Sequence, residues 1–395
     1  MNEFDASYIS TRVPLKVQIA IPEITALPDK ESVRIWDVVY NFISLVVRIV
    51  SFGITIYVAI QYYTHGNENY MTYTLACWII PWILTLFISC EVKARDESIK
   101  MQSTQKDCCL KISWIIFLNI LRYLESSKYS AKYWLARRRN QNERALKYYK
   151  KLLQADCDET FLRLFDCFLE TAPQKVLQIA IYFSGKDSLT TWQGCILVNC
   201  FINMSYALSS HQKCLRLATP GKRQITFLGQ IFHLIWNLAL SVARILAIAL
   251  LASITPQWAL IFCIIHVLIS GIFIHFTDGK NHKLCAYNFF TKFLFSITVG
   301  TIFLFHVIPV TEGSTKYKYM TYYAIYFLEN SLCLVVYYFY TDWNIISINL
   351  YYSYAGVVIG LFILGIIFQI IYYLYFHPNI TSRASNRDLM SLRNM

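Results

Sequence analysis

Residues 227–252 read FLGQIFHLIWNLALSVARILAIALLA. A helix that crosses a membrane needs about 20 mainly apolar residues. This stretch exceeds that length and carries one fixed charge, Arg244. It does not alternate apolar with polar, so it is no strand of an outer-membrane barrel. Seven further runs resemble it: Val38 to Tyr63, Met71 to Cys90, Phe161 to Phe183, Leu189 to Ser209, Trp258 to Phe276, Tyr322 to Tyr340 and Ile345 to Phe376. Two stretches are weaker. Ile112 to Leu124 is too short to span, and Tyr287 to Ile308 contains Lys292 and stops at Pro309.

The composition agrees. Of 395 residues, 56% are hydrophobic and only 15% charged, against roughly 25% charged in a soluble domain. The mean hydropathy is +0.40. A soluble enzyme or a disordered chain is excluded on these numbers. The expected fold class is an all-α polytopic membrane protein.

Loop charge orients it. The net charge is +12, and Lys and Arg mark cytoplasmic loops. Connections 64–70, 253–257 and 341–344 have no Lys or Arg, and 184–188 has only Lys186 beside Asp187. By contrast, 91–111, 128–151 and 211–224 are basic. One arrangement separates the two kinds: about eight spans, both termini cytoplasmic, and the two weak stretches entering and leaving on the cytoplasmic side. Each half then reads span, span, basic loop, weak segment, span, span, which makes a parallel repeat of four spans each. The expected parts are an N-terminal tail 1–37, a first repeat 38–211 with a basic insertion 125–158, a linker 212–224, a second repeat 225–376 and a tail 377–395. Within the insertion, KYWLARRRNQNERALKYYKKLL reads as one basic amphipathic helix near the anionic leaflet or as a solvated helix on neighbouring loops.

There is no signal-peptide pattern at the N-terminus. The 12 cysteines avoid the expected outer loops, so they read as buried or cytoplasmic thiols, with Cys108 and Cys109 as a weak palmitoylation signal. No metal spacing, P-loop, dinucleotide fingerprint or nucleophile elbow is present. The expectation is a non-enzyme without cofactor or metal.

Ionisable groups inside spans cost roughly 2.5–3.5 kcal/mol each on insertion scales, so each needs a reason. The richest segment is 159–178, ETFLRLFDCFLETAPQKVLQ. Arg163, Asp166 and Glu170 recur at helical spacing and share a face. Pro173 is expected to kink this helix, with Thr171 and Gln174 beside it. The others are Arg48, Asn237, Arg244, Glu329 and Asn330. Two readings stand: interhelical pairs, such as Glu170 with Arg244, or a continuous polar path.

LRLFDCFLETAPQ resembles the signature of the XK-related proteins. In order, IWNLALSVARILAIALL, YFLENSL and YYLYFHPN are similar to later spans of that family. The resemblance implies eight spans with two re-entrant elements, and phospholipid scrambling that exposes phosphatidylserine at the plasma membrane during apoptosis. It implies activation by caspase cleavage of a tail, and partners of two kinds: a single-span immunoglobulin-type subunit or a lipid-transfer protein. Arg163, Asp166, Glu170 and Arg244 would meet the headgroup. Two departures are visible. Ser51 and Thr55 stand where scrambling members carry acids, with Arg48 nearby. Neither Asp5 nor Asp388 lies in a good caspase site. The alternatives to a scramblase are a non-scrambling anchor for a lipid-transfer protein, and a solute transporter or channel.

Overall fold

A computed structural model describes residues 35–98, 118–185, 191–218, 224–277, 289–308, 316–343 and 347–378. Every regular element among them is helical. Helix α1 spans Ile35–Thr64 and α2 Glu68–Ser98, joined by a tight turn with Gly66 at φ 74°. Helices α3 (Leu118–Arg138) and α4 (Asn142–Phe165) form a hairpin. A π-turn, Asp166–Thr171, joins α4 to α5 (Ala172–Phe183). Then come α6 (Thr191–Ala218), α7 (Phe227–Ile254), α8 (Pro256–Thr277), α9 (Phe289–Phe305), α10 (Lys316–Tyr340) and α11 (Ile348–Ile371), which ends in a π-turn, Tyr372–Phe376.

Among the described residues, three helices are long and apolar enough to cross a membrane by composition alone: Phe227–Ile254, Pro256–Phe276 and Ile348–Phe376. Their burial separates their roles. The apolar window of α7 is 72% buried, against 22% in α8 and 28% in the last helix. So α7 is the core strut, packed by α5, α6, α8, α10 and α11. Helices α8 and α11 turn rows of Ile, Leu and Phe outward, such as Ile261, Ile265 and Ile269, as a lipid-facing surface requires.

Side-chain contacts fix directions. Trp236 donates to Tyr323, Tyr326 bonds Leu240 O, and Arg244 reaches Asn330. Residue numbers rise together, so α7 and α10 run parallel. Helix α9 is antiparallel to α8, since His266 meets Phe303 O while the His275 and Phe289 rings meet edge to face. It is therefore parallel to α10 as well. Its C-terminal end sits beside Tyr322 and Tyr326, past the start of α10.

One expectation needs correction. The basic insertion is not a single amphipathic helix. It breaks at residues 139–141, where Asn140 takes φ 55°, a left-handed value that Asn tolerates better than most residues. The two arms close over Tyr133, Ala136, Ala145, Tyr149 and Leu152, with Ser126 donating to Asp156. The second arm is continuous with α5: all linking residues keep helical torsions. At 1.5 Å per residue, the rod 142–183 is about 63 Å long, twice the hydrocarbon thickness. The hairpin thus extends the line of the α5 rod.

Cys108 and Cys109, the start of the weak stretch at Ile112, Asp5 and Asp388 lie outside the described residues.

Candidate functional site

Pro173 has no N–H, so a carbonyl one turn earlier loses its helical donor. The chain answers with the π-turn just before it. The Ala172 N–H bonds Cys167 O, five residues back, and Thr171 Oγ1 donates to Asp166 O at 3.2 Å. The discontinuity thus precedes Pro173 by a turn and adds a residue to the helical register there. Such π-turns concentrate at functional sites. It moves Asp166 and Glu170 off strict α spacing, and both still face inward, at 6% and 2% exposure.

The polar residues of this rod are Glu159, Arg163, Asp166, Glu170 and Gln174. Glu159 is buried and pairs with Arg163. Burial pushes its carboxyl above the usual range, while Arg163 and a Ser126 hydrogen bond pull it back. Arg163 also lies 5.9 Å from the centre of the Tyr206 ring on α6. Gln174 is buried, and its Nε2 finds no acceptor. Around them Phe161 meets His211 and Phe295, and Phe168 stacks on Phe305. The row is inside the molecule, between α6 and α9. In α1, Thr55 is buried; the side chains of Arg48 and Ser51 lie outside the described part.

A second polar set lies in the C-terminal half. Arg244 has no exposed surface. It donates from Nε to Leu304 O at 2.9 Å, from Nη1 to Asn330 Oδ1 at 3.0 Å, and from Nη2 to Glu329. The carboxylate against Arg244 is therefore Glu329 and not Glu170. His266 from α8 closes the set, with Nδ1 2.9 Å from Glu329 Oε1 and Nε2 3.3 Å from Phe303 O. Tyr322 and Tyr326 donate to Phe303 O and Phe305 O, both at 2.8 Å. The last carbonyls of a helix have no partner of their own and its end carries partial negative charge. Arg244, His266, Tyr322 and Tyr326 together cap the C-terminus of α9. Asn237 joins a different pair, His233 Nδ1 at 2.7 Å.

Sequence reasoning found Arg244, Glu329, Asn330 and Asn237 but missed His266, Tyr322, Tyr326, His233 and Lys175. Lys175 stood in the quoted segment itself. Tyr322, Tyr326 and Glu329 follow at spacings of four and three, one helix face. Above the capped end, α7, α8 and α10 diverge around an apolar cleft of about 250 Å³, lined by Leu251, Trp258, Phe262, Cys333 and Tyr340 among others. Among the described residues no His, Cys, Asp and Glu cluster is placed to hold a metal ion.

The XK-related protein family model matches residues 39–378. The chain is 25% identical over 347 residues to XK-related protein 8 of Pan troglodytes, covering 87% of this chain and 84% of that protein. It is also 25% identical over 242 residues to Cell death abnormality protein 8 of Caenorhabditis briggsae, covering 59% of this chain and 51% of that relative. The match takes in the π-turned rod, the capped α9 and every helix between and beyond them to residue 378. This chain belongs to the XK-related family.

Proposed function

We propose that this chain is a phospholipid scramblase, moving lipids such as phosphatidylserine between leaflets without energy input, in the exposure of phosphatidylserine by dying cells. The observation that carries it is the row Glu159, Arg163, Asp166, Glu170 and Gln174 along one continuous helix, all buried except the partly exposed Arg163. A headgroup must cross hydrocarbon while its tails stay there. Ionised groups at the bilayer centre cost several kcal/mol, and fixed polar partners along the way lower that barrier. Acids meet the amine or choline, and cations meet the phosphate. The name of the nematode relative, Cell death abnormality protein 8, supports the cell-death setting. Thr171 and Pro173 shape the turn. Arg244, Glu329 and Asn330 act behind the path by holding the α9 end in place, while Asn237 pairs with His233.

The reading includes the topology. Eight spans and two re-entrant elements form two parallel repeats in the plasma membrane, with both termini cytoplasmic. The parallel course of α9 and α10 supports the second re-entrant element. A single-span immunoglobulin-type subunit is one partner this reading allows.

In vesicles with labelled lipid, the purified chain is expected to scramble in minutes. Glu170→Gln and Asp166→Asn are expected to slow it about tenfold while the protein stays monodisperse. Equal rates in folded variants would refute the path. Solute leak without lipid movement would favour a transporter or channel. One observation favours a second reading, an anchor for a lipid-transfer protein: the hairpin of α3 and α4 exposes Lys128, Lys132, Arg138, Arg139, Arg144, Lys147 and Lys151 at the far end of the rod. Loss of that partner on deleting 125–158, with no scrambling in vesicles, would select it.

A further inference from the structure

Lys175 lies in α5, nine residues beyond Asp166, and is 5% exposed. Its Nζ donates to Gln178 Oε1 at 2.8 Å. That acceptor is a neutral amide, and no carboxylate pairs with Lys175 among the described residues. Among the described residues, the titratable group that bears on it is the Cys200 thiol of α6. An ammonium has three donors, so two are unused here. Among the described residues, two other inward-lying cations are matched: the partly exposed Arg163 by Glu159 and the buried Arg244 by Glu329. A buried charge without a partner is strongly destabilising. The preceding residue repeats the deficit, since Gln174 Nε2 is also a buried donor without an acceptor. Two neighbouring side chains, each more than nine-tenths buried, thus offer hydrogen-bond donors and lack an anion.

The position limits what the anion is. Lys175 sits about 12 Å along the axis from the end of α5 at Phe183, inside the apolar run. Gln178, its partner, is half-buried, and on α6 Asn199, next to Cys200, is exposed. The approach is from the outer face of the helix pair, where hydrocarbon lies. A species that arrives there with one negative charge and several acceptor oxygens is a lipid phosphodiester.

We propose that Lys175, with Gln174 beside it, is a subsite for the phosphodiester of a membrane phospholipid between α5 and α6. This rests on the lipid-moving reading for its purpose but not for its test. The acids Asp166 and Glu170 come first along the rod and this cation follows. A headgroup with both amine and phosphate thereby meets groups of opposite sign in succession.

The experiment uses the full chain in vesicles containing a photoactivatable phosphatidylserine, or a photoactivatable diacylglycerol that has no phosphate. Crosslinks are mapped to the peptides of α5 and α6. Phosphatidylserine labelling is expected to fall about tenfold in Lys175→Gln, to persist in Lys175→Arg, and to resist millimolar inorganic phosphate. Diacylglycerol labelling is expected to be the same in all three proteins. Equal phosphatidylserine labelling of the wild-type chain and Lys175→Gln overturns the subsite. Competition by inorganic phosphate overturns the lipid as its ligand. Should Lys175→Gln aggregate, Lys175→Met is measured instead, with the same loss expected and the same retention overturning it. Scrambling is followed in the same vesicles. Lysine-dependent labelling without scrambling leaves the subsite standing and removes the scramblase reading. Scrambling with lysine-independent labelling does the reverse.

Discussion

Arg244 illustrates how a polar residue in an apolar helix acquires a role. Its hydrogen bonds run to a backbone carbonyl, an amide and a carboxylate on two other elements. Truncation leaves Glu329 and Leu304 O without it in a dry interior. Arg244→Ala is therefore expected to destabilise the fold by about 3–5 kcal/mol, read as a lower unfolding temperature in detergent. Arg244→Lys should recover only part of that, because an ammonium cannot reproduce the planar fork. Glu329→Gln should cost less, since the amide still accepts from Arg244. The sequence made Arg244, Glu329 and Asn330 visible as costly residues. It did not reveal the pairing, because the partners stand 85 and 86 residues apart and two acids, Glu170 and Glu329, were equally available. His266 carries no fixed charge, so it did not stand out among the costly residues of the spans.

At the scale of elements, helix positions followed from apolar runs, and most of the expected spans correspond to helices of the structure. What the runs did not carry was local backbone choice. The π-turn at 166–171 looks like ordinary α spacing until Pro173 is asked where its missing bond goes. The hairpin turn at Asn140 is hidden in a sequence with good helix formers on both sides. Close packing was also silent. A Cβ on Gly300 would lie 2.7 Å from Val267 O and 2.9 Å from Gly271 N, all backbone that cannot swing aside. Gly300→Ala is expected to force α8 and α9 apart and to cost about 1–3 kcal/mol. A disulfide introduced across that interface, forming in the parent and not in the variant, would check it. The end of the last helix is tied differently. Arg216 donates to His377 Nε2 at 2.9 Å, which requires a neutral ring, since Arg has no acceptor. Burial, and then Arg216, push the imidazole from 6.5 down to about 4. The folded state favours the uncharged form. The contact is thus at full strength above pH 6.5 and is lost as pH falls through about 4. Amide exchange at 372–378 is expected to accelerate over that window, and His377→Gln should flatten the dependence.

At the scale of the whole molecule, charge and hydropathy assign sides. Single cysteines placed at Asn67 and Thr255 are expected to react with a membrane-impermeant thiol reagent from outside the cell. One at Asn140 should react only after permeabilisation. The same side for all three would refute the proposed orientation. The halves of the protein also differ in how they are held. Helices α1 and α2 touch chiefly α3, α4, the first π-turn and α5, through largely apolar seams. The second half is pinned at the tip of α9, where side chains from α7, α8 and α10 meet three consecutive carbonyls. Those carbonyls would be stranded in oil if any neighbour withdrew. Four helices must then part together or stay together. The second half behaves as a keel.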